Sequence, residues 1–336
     1  IMAELIREKG SRDLVANFGY ANGEEVVNHF DSKYPWNGIE EIVDDYGDSW
    51  VRIPKFYRVI NVENGVVKGR ELSEYKVGDD WLLNHNFVNN AGTSLNYVEI
   101  AKYQMSLGTN GEGRSVAGVY PKYGLTYNEA QAAVAKLNSR EDGYEYFLSN
   151  IWTAELLQDL MVVEFANSYT PAVMSGYPNY SSKGYRRTGE TDNIPYCSGI
   201  QAPTDQANKS SCMKYRGIEN IYGNGQELID GVFISNGNIT VDINGVEQST
   251  PIKCPTTQGI VHQLGYDINT DLVFPTTIKS GGSYSENFYG NSDADRNVIY
   301  RGNYSDTGYG LFSFIPLDQT TKNNSATFRV VRRLKD

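Results

Sequence analysis

Two stretches of this chain repeat their apolar residues at helical spacing, and the rest do not. Residues 126–129 (TYNE) fit an S/T-x-x-E capping box. Ala130, Val134 and Leu137 follow at i, i+4 and i+7, which predicts a helix with one apolar stripe. Thr153 is placed to cap a second helix reaching to about Asn167, in which Leu156, Leu157, Leu160, Val163 and Ala166 make a face broad enough for burial. Elsewhere the apolar runs are short and read as strands: 50–59 (WVRIPKFYRV), 65–68, 232–234, 239–243 and 327–332 (TFRVVR). Pro54 assigns the first of these to an edge or a bulge, because proline donates no hydrogen bond to a ladder. Asn244-Gly245 predicts a tight hairpin turn after 239–243, since both turn positions need positive φ. The polar stretch 84–93 (NHNFVNNAGT) reads as a loop and as an internal boundary. It divides an N-terminal β-rich region, 1–92, from a second domain, 93–336. Between 168 and 214 no helical period is sustained, and a stretch that long, rich in Gly, Pro, Tyr, Ser and Asn, is commonly functional or disordered.

Composition then acts mainly by exclusion. With 336 residues, 40% of them apolar, the chain can close a core. Its net charge of −11 repels phosphate backbones, so nucleic acid is not an expected partner. No apolar run approaches the roughly 18 residues of a membrane helix, and 1–13 mixes charges where a secretory segment would be unbroken hydrophobe. The chain therefore reads as soluble and unprocessed, without membrane insertion. Cys197, Cys212 and Cys254 are odd in number and lack CxxC spacing, while His29, His85 and His262 are far apart. Neither a disulfide framework, a zinc centre nor a Ser/His/Asp site is indicated, and no metal or cofactor is expected. Asp293 with Asp295, and Asp267 with Asp271, are spaced like fragments of calcium loops but lack the Gly and distal Glu of a complete one, so they read as turns. Glu164, among apolar neighbours, reads as a buried, paired carboxylate whose partner is left open among Arg186, Arg187 or a helix end. Tyr at 25 and Gly at 33 give the palette of recognition surfaces, in which Tyr supplies large amphipathic contact area at low entropic cost.

Residues 215–231 (YRGIENIYGNGQELIDG) bring in a resemblance. The segment is similar to the GNVWEW signature of the formylglycine-generating-enzyme branch of the C-type lectin fold, with Gly223, Asn224, Glu227 and Asp230 matching and Gln226 standing where that family has Trp. Further matches follow in the same order. The first helix and the segment 148–167 resemble the family's two helices. The segment 298–332 resembles its RGGSW…GFRV terminus through Arg301 and Gly302, then Gly310, Leu311 and Phe312, and finally Phe328, Arg329 and Val330. The resemblance spans roughly 95 to 336. It implies an α+β, C-type lectin-like fold, two helices packed on twisted antiparallel sheets, with an N-terminal β-rich extension.

A narrower resemblance is to phage and prophage receptor-binding proteins of that fold, including the major tropism determinant type and the variable proteins of diversity-generating retroelements. Its carriers are WVRIPKFYRV, LLQDLMVVEFAN, YRGIENIYGN and the closing RG…GLF…FRVV. The resemblance implies a non-enzymatic protein of a virion tail, with a C-terminal variable-type segment, 298–332, facing a bacterial surface protein or glycan. Residues 303–309 (NYSDTGY) contain only types that adenine-directed mutagenesis permits, and ordinary loop chemistry explains the same letters. Tyr304 and Tyr309 would offer flat faces with a hydroxyl tip; Asn303, Ser305, Asp306 and Thr307 would supply short donors and acceptors; Asn323 and Asn324 would line the same face. Arg301 and Phe328 belong to the scaffold beneath. Other tail subunits are the implied partners, and a homo-oligomer, trimeric by resemblance, is implied as well. A structural tail or baseplate component is the alternative. An oxidase of the formylglycine-generating type is disfavoured, because it needs two cysteines near the C-terminus and here the last is Cys254.

Overall fold

The structure, a computed structural model, describes residues 5–7, 29–165, 168–174, 176–178, 184–194, 199–200, 212–279, 286–290, 295–302 and 309–335. The first predicted helix forms as α1 (Tyr127–Ala135). Its capping box is complete: Glu129 N donates to Thr126 Oγ1 at 3.2 Å and Thr126 N to Glu129 Oε2 at 2.9 Å. The second forms as α2 (Ile151–Phe165), but its cap is Asn150 and not Thr153. Asn150 Oδ1 accepts from Thr153 N at 2.9 Å, which places Thr153 inside the first turn. Every residue of α2 except Val162 is buried, as expected of a helix enclosed on all sides.

Three large sheets contribute to the hydrophobic cluster that holds α2. The first has the order Tyr144–Leu148, Val330–Leu334, Tyr97–Ala101, Ser49–Pro54, Glu40–Val43, with every neighbour antiparallel. The second runs Val246–Lys253, Asn238–Ile243, Gln226–Ser235, Asn297–Arg301, Phe314–Asp318, with Ala326–Thr327 laid parallel on the start of Gln226–Ser235. The third runs Leu272–Lys279, Gly259–Asp267, Val66–Ser73, Tyr57–Glu63, Leu82–Leu83, and carries Leu5–Arg7 and Asn287–Phe288 off that path. The predicted hairpin is present: Ile243 pairs with Val246 across Asn244 and Gly245, at φ 52° and 83°. The run 50–59 is two strands in different sheets, and Pro54 ends the first of them, where a missing donor costs nothing.

The expected α+β, helix-packed lectin-like fold is thereby corrected. The described residues are 41% strand and 14% helical, in several sheets with two short helices, which is a mostly β architecture. Nor do the first 92 residues stand as an extension. Ser49–Pro54 pairs with Tyr97–Ala101, and Val66 pairs with Gly265, so N-terminal strands are built into the first and third sheets. The physical reason lies in burial. Strands such as Asn297–Arg301 are buried at every position, so they lack the polar alternation by which a half-exposed strand is read, whereas helix caps are local and conspicuous.

Polar side chains inside α2 are each engaged. Glu155 and Asp159 meet Arg58 at 2.6 and 3.0 Å, and Gln158 Nε2 donates to Leu311 O at 2.9 Å. Glu164 is buried and paired as expected, and its partner is Arg216, with Tyr215 Oη donating at 2.8 Å. The polar stretch 84–93 turns inward. Asn84 Nδ2 donates to Trp152 O at 2.8 Å and Asn86 Nδ2 to Thr153 Oγ1 at 2.8 Å, tying a 3-10 turn to the start of α2. Asp267 and Asp271 hold the turn between Gly259–Asp267 and Leu272–Lys279. Asp267 accepts from Thr270 Oγ1, and Asp271 accepts from Tyr266 Oη and pairs with Arg58. No helix among the described residues is long and apolar enough to cross a membrane.

Candidate functional site

The residues matched to the family signature converge on one buried ionic knot. Antiparallel pairing of Gln226–Ser235 with Asn297–Arg301 sets Glu227 opposite Arg301, and the parallel strand Ala326–Thr327 delivers Arg329 to the same place. Arg301 Nη2 donates to Glu227 Oε1 at 2.7 Å and Arg329 Nε to Glu227 Oε2 at 2.9 Å, all three side chains being at most 1% exposed. Arg329 spends its remaining donors on backbone. Nη1 reaches the carbonyls of Ala101 and Lys102, and Nη2 those of Glu219 and Asn220. Arg301 keeps Nε and Nη1 without a hydrogen-bond partner, and burial depresses its guanidinium below the ordinary range against the pull of Glu227. A buried carboxylate holding two guanidiniums out of water ties the strands that carry them together.

The rest of the signature shapes the turn leading into that knot. Gly223 sits at φ 85° with its Cα so close to the chain that a Cβ would lie 2.5 Å from Tyr177 N, and this requires glycine. Asn224 accepts from Arg186 N at 2.7 Å and donates to Gln104 Oε1 at 3.1 Å. Gln226, in the place of the family's Trp, is buried and accepts from Asn323 Nδ2. Asp230 accepts from Tyr127 Oη, Gln131 Nε2 and Gly231 N at 2.7 to 2.8 Å. Phe328 packs in the core beside Met105, Val330 and Leu137.

Both flanks of segment 303–308 are fixed. On one side Arg301 is in the knot and Gly302 N donates to Ser313 O at 2.9 Å. On the other, Tyr309 is buried, its hydroxyl 2.8 Å from that of Tyr289 and the two rings stacked at 6.1 Å. Beyond it, Glu286 gathers Thr170 N and Oγ1 at 3.1 and 2.8 Å and Phe312 N at 2.7 Å. A Cβ on Gly310 would lie 2.1 Å from Thr170 Oγ1. Burial pushes the Glu286 carboxyl up to about 7 despite these donors. Sequence reading missed Glu286, because a lone acid in SYSENFYG carries no local signal and its partners lie at 170 and 312.

Of the residues expected to bind, Asn303, Tyr304, Ser305, Asp306 and Thr307 lie outside the described residues. Asn323 is half-buried and fixed by Ser325 N, whereas Asn324 is exposed and its carbonyl accepts from Tyr185 Oη at 3.1 Å. Tyr185 in turn stacks on Tyr123 at 3.7 Å. No family model matches the chain. No curated protein matches it either. Among solved structures, PvdO from Pseudomonas aeruginosa is similar at 12% identity and a TM-score of 0.35, over 88% of this chain and 98% of that one. At that distance the likeness carries no argument about fold or activity.

The cysteines bear on reactivity directly. Cys212 and Cys254 are free and buried, and burial pushes both thiols up, Cys254 to about 12. Each is held as the protonated thiol near neutral pH, which is neither the nucleophile nor the metal-binding form. Cys197 lies outside the described residues.

Proposed function

We propose that the protein is a non-catalytic recognition protein of a phage or prophage tail, engaging a bacterial surface protein or glycan through residues 303–308 with Asn323 and Asn324 alongside, while Tyr309, expected from the sequence as a contact, is buried and anchors the base of the segment. The observation that carries this reading is the fixing of both flanks of 303–308 by buried ion pairs and hydrogen bonds, centred on Glu227 and Glu286. A segment of Asn, Tyr, Ser, Asp, Thr and Gly held at both ends changes its sequence without disturbing the base and loses less entropy on binding than a free one. Several copies on one tail, as a homotrimer, would multiply weak contacts by avidity.

Surface plasmon resonance over immobilised envelope fractions from candidate hosts tests it. The expected result is binding to at least one envelope, weakened roughly tenfold or more by the double variant Tyr304→Ala/Asp306→Ala at unchanged Tm, since aromatic anchors dominate such interfaces. A double variant that binds like the parent would move recognition away from this segment. A parent that binds no envelope, with assembly lost in the variant, would make the protein a structural tail component instead.

A further inference from the structure

Asp230 also lines a cavity of about 350 Å³ that shares no residue with 303–309. It opens between α1, the start of α2, the strand Tyr144–Leu148 and the Asn244-Gly245 turn, and its volume falls within the roughly 300–1,000 Å³ of small-molecule sites. One wall is preorganised by Asp230, on which Tyr127 Oη and Gln131 Nε2 converge while Gln131 Nε2 also reaches Tyr127 Oη at 2.9 Å. Arg333 lines the same cavity. Its Nε donates to Glu145, its Nη1 to the carbonyls of His85 and Val88, and its Nη2 to Asn90 Oδ1 and Asn244 Oδ1 at 3.2 and 3.1 Å.

These contacts restrict what can bind. Every nitrogen of the Arg333 guanidinium is already engaged, so an anion would find no free cationic donor and would face the carboxylates of Asp230, Asp242 and Glu145. A compact cation would find Glu145 already paired with Arg333, and Asp230 and Asp242 already accepting from Tyr127, Gln131, Gly231 and Gly245. An apolar ligand would strip water from a lining of carboxylates, amides and phenols without replacing its hydrogen bonds. What remains is a neutral molecule whose groups both donate and accept and whose C–H faces can lie on the Tyr127 and Phe147 rings. We propose that this cavity binds a single neutral sugar unit through its hydroxyls, with the Gln131 side-chain carbonyl and the remaining acceptor site of Asp230 Oδ2 as the acceptor wall and Asn244 at the rim.

Saturation-transfer NMR tests this on the full chain, with glucose, galactose and N-acetylglucosamine as neutral probes and glucuronate and putrescine as charged ones. A neutral sugar is expected to bind in the millimolar range, and Gln131→Ala and Asn244→Gly each to weaken it roughly tenfold. Gln131 is half-buried on α1, and glycine keeps the positive φ of the turn, so both variants are expected to fold, which their Tm verifies. Tyr304→Ala is expected to leave sugar binding unchanged, which separates this site from the proposed recognition segment. No transfer to any neutral sugar, preferential binding of glucuronate or putrescine, or sugar binding indifferent to both cavity variants would each overturn the proposal.

Discussion

Arg58 and Arg70 share one buried cluster with three carboxylates: Glu155 and Asp271 on Arg58, and Asp159 between the two guanidiniums. Three acids against two bases leave the cluster one proton short of neutrality, and burial pushes Glu155 up to about 8. Tyr266, which donates to Asp271, and His85, whose own pKa burial lowers, face the same group and supply no further positive charge at neutral pH. Glu286, also buried, titrates at about 7. Both folded-state values lie above the 4.5 of a free glutamate, so the stability these groups contribute is fully present below that pH and is lost as pH rises through about 7 and then 8. Calorimetry is expected to show Tm falling across this window, and Glu155→Gln/Glu286→Gln to flatten the fall. A parent Tm that rises with pH there would sink the assignment.

At the scale of elements, the start of α2 offers the clearest test. Asn150 Oδ1 accepts from both Thr153 N and Thr153 Oγ1, and Asn86 Nδ2 donates to it as well. Asn150→Ala is expected to cost about 1–2 kcal/mol in urea unfolding, the upper part of the range for caps because Asn86 loses a partner too. A loss no larger than that of an exposed Ala substitution would show that the cap is idle. Legibility in the sequence divides along the same line. The capping box of α1 and the Asn244-Gly245 turn were readable because each closes within about four residues. Asn150 and Thr153, three residues apart, offer the same capping chemistry in the sequence, and only the folded geometry separates them. Asn84 and Asn86 read as loop because polar residues are ordinarily exposed, yet here they satisfy the backbone and hydroxyl at the start of α2.

Across the whole molecule, the Glu227 knot joins a strand near the middle of the chain to two near its end, and through Arg329 to the carbonyls of Ala101 and Lys102. Glu227→Ala leaves two guanidiniums buried without their carboxylate, and the expected loss in chemical denaturation is about 3–5 kcal/mol. A loss below about 1 kcal/mol would mean that the knot is solvated or rearranges. Glu227, Arg301 and Arg329 stand in the sequence within short ordered blocks, but the ion pairs among them span 74 and 102 residues and carry no local signal. The cavity beside Asp230 was not legible, because its walls come from six separate stretches whose adjacency only the folded sheets create. The same long reach governs how the chain is made. Val330–Leu334 lies between Tyr97–Ala101 and Tyr144–Leu148, so that sheet lacks an interior strand until the ribosome has passed residue 334. At about 5–20 residues per second, roughly ten to fifty seconds separate synthesis of Ala101 from that of Val330. From the synthesis of Leu148 until that of Val330–Leu334 the nascent chain holds two strands without their common partner, a standing invitation to chaperones and to neighbouring copies on the same polysome.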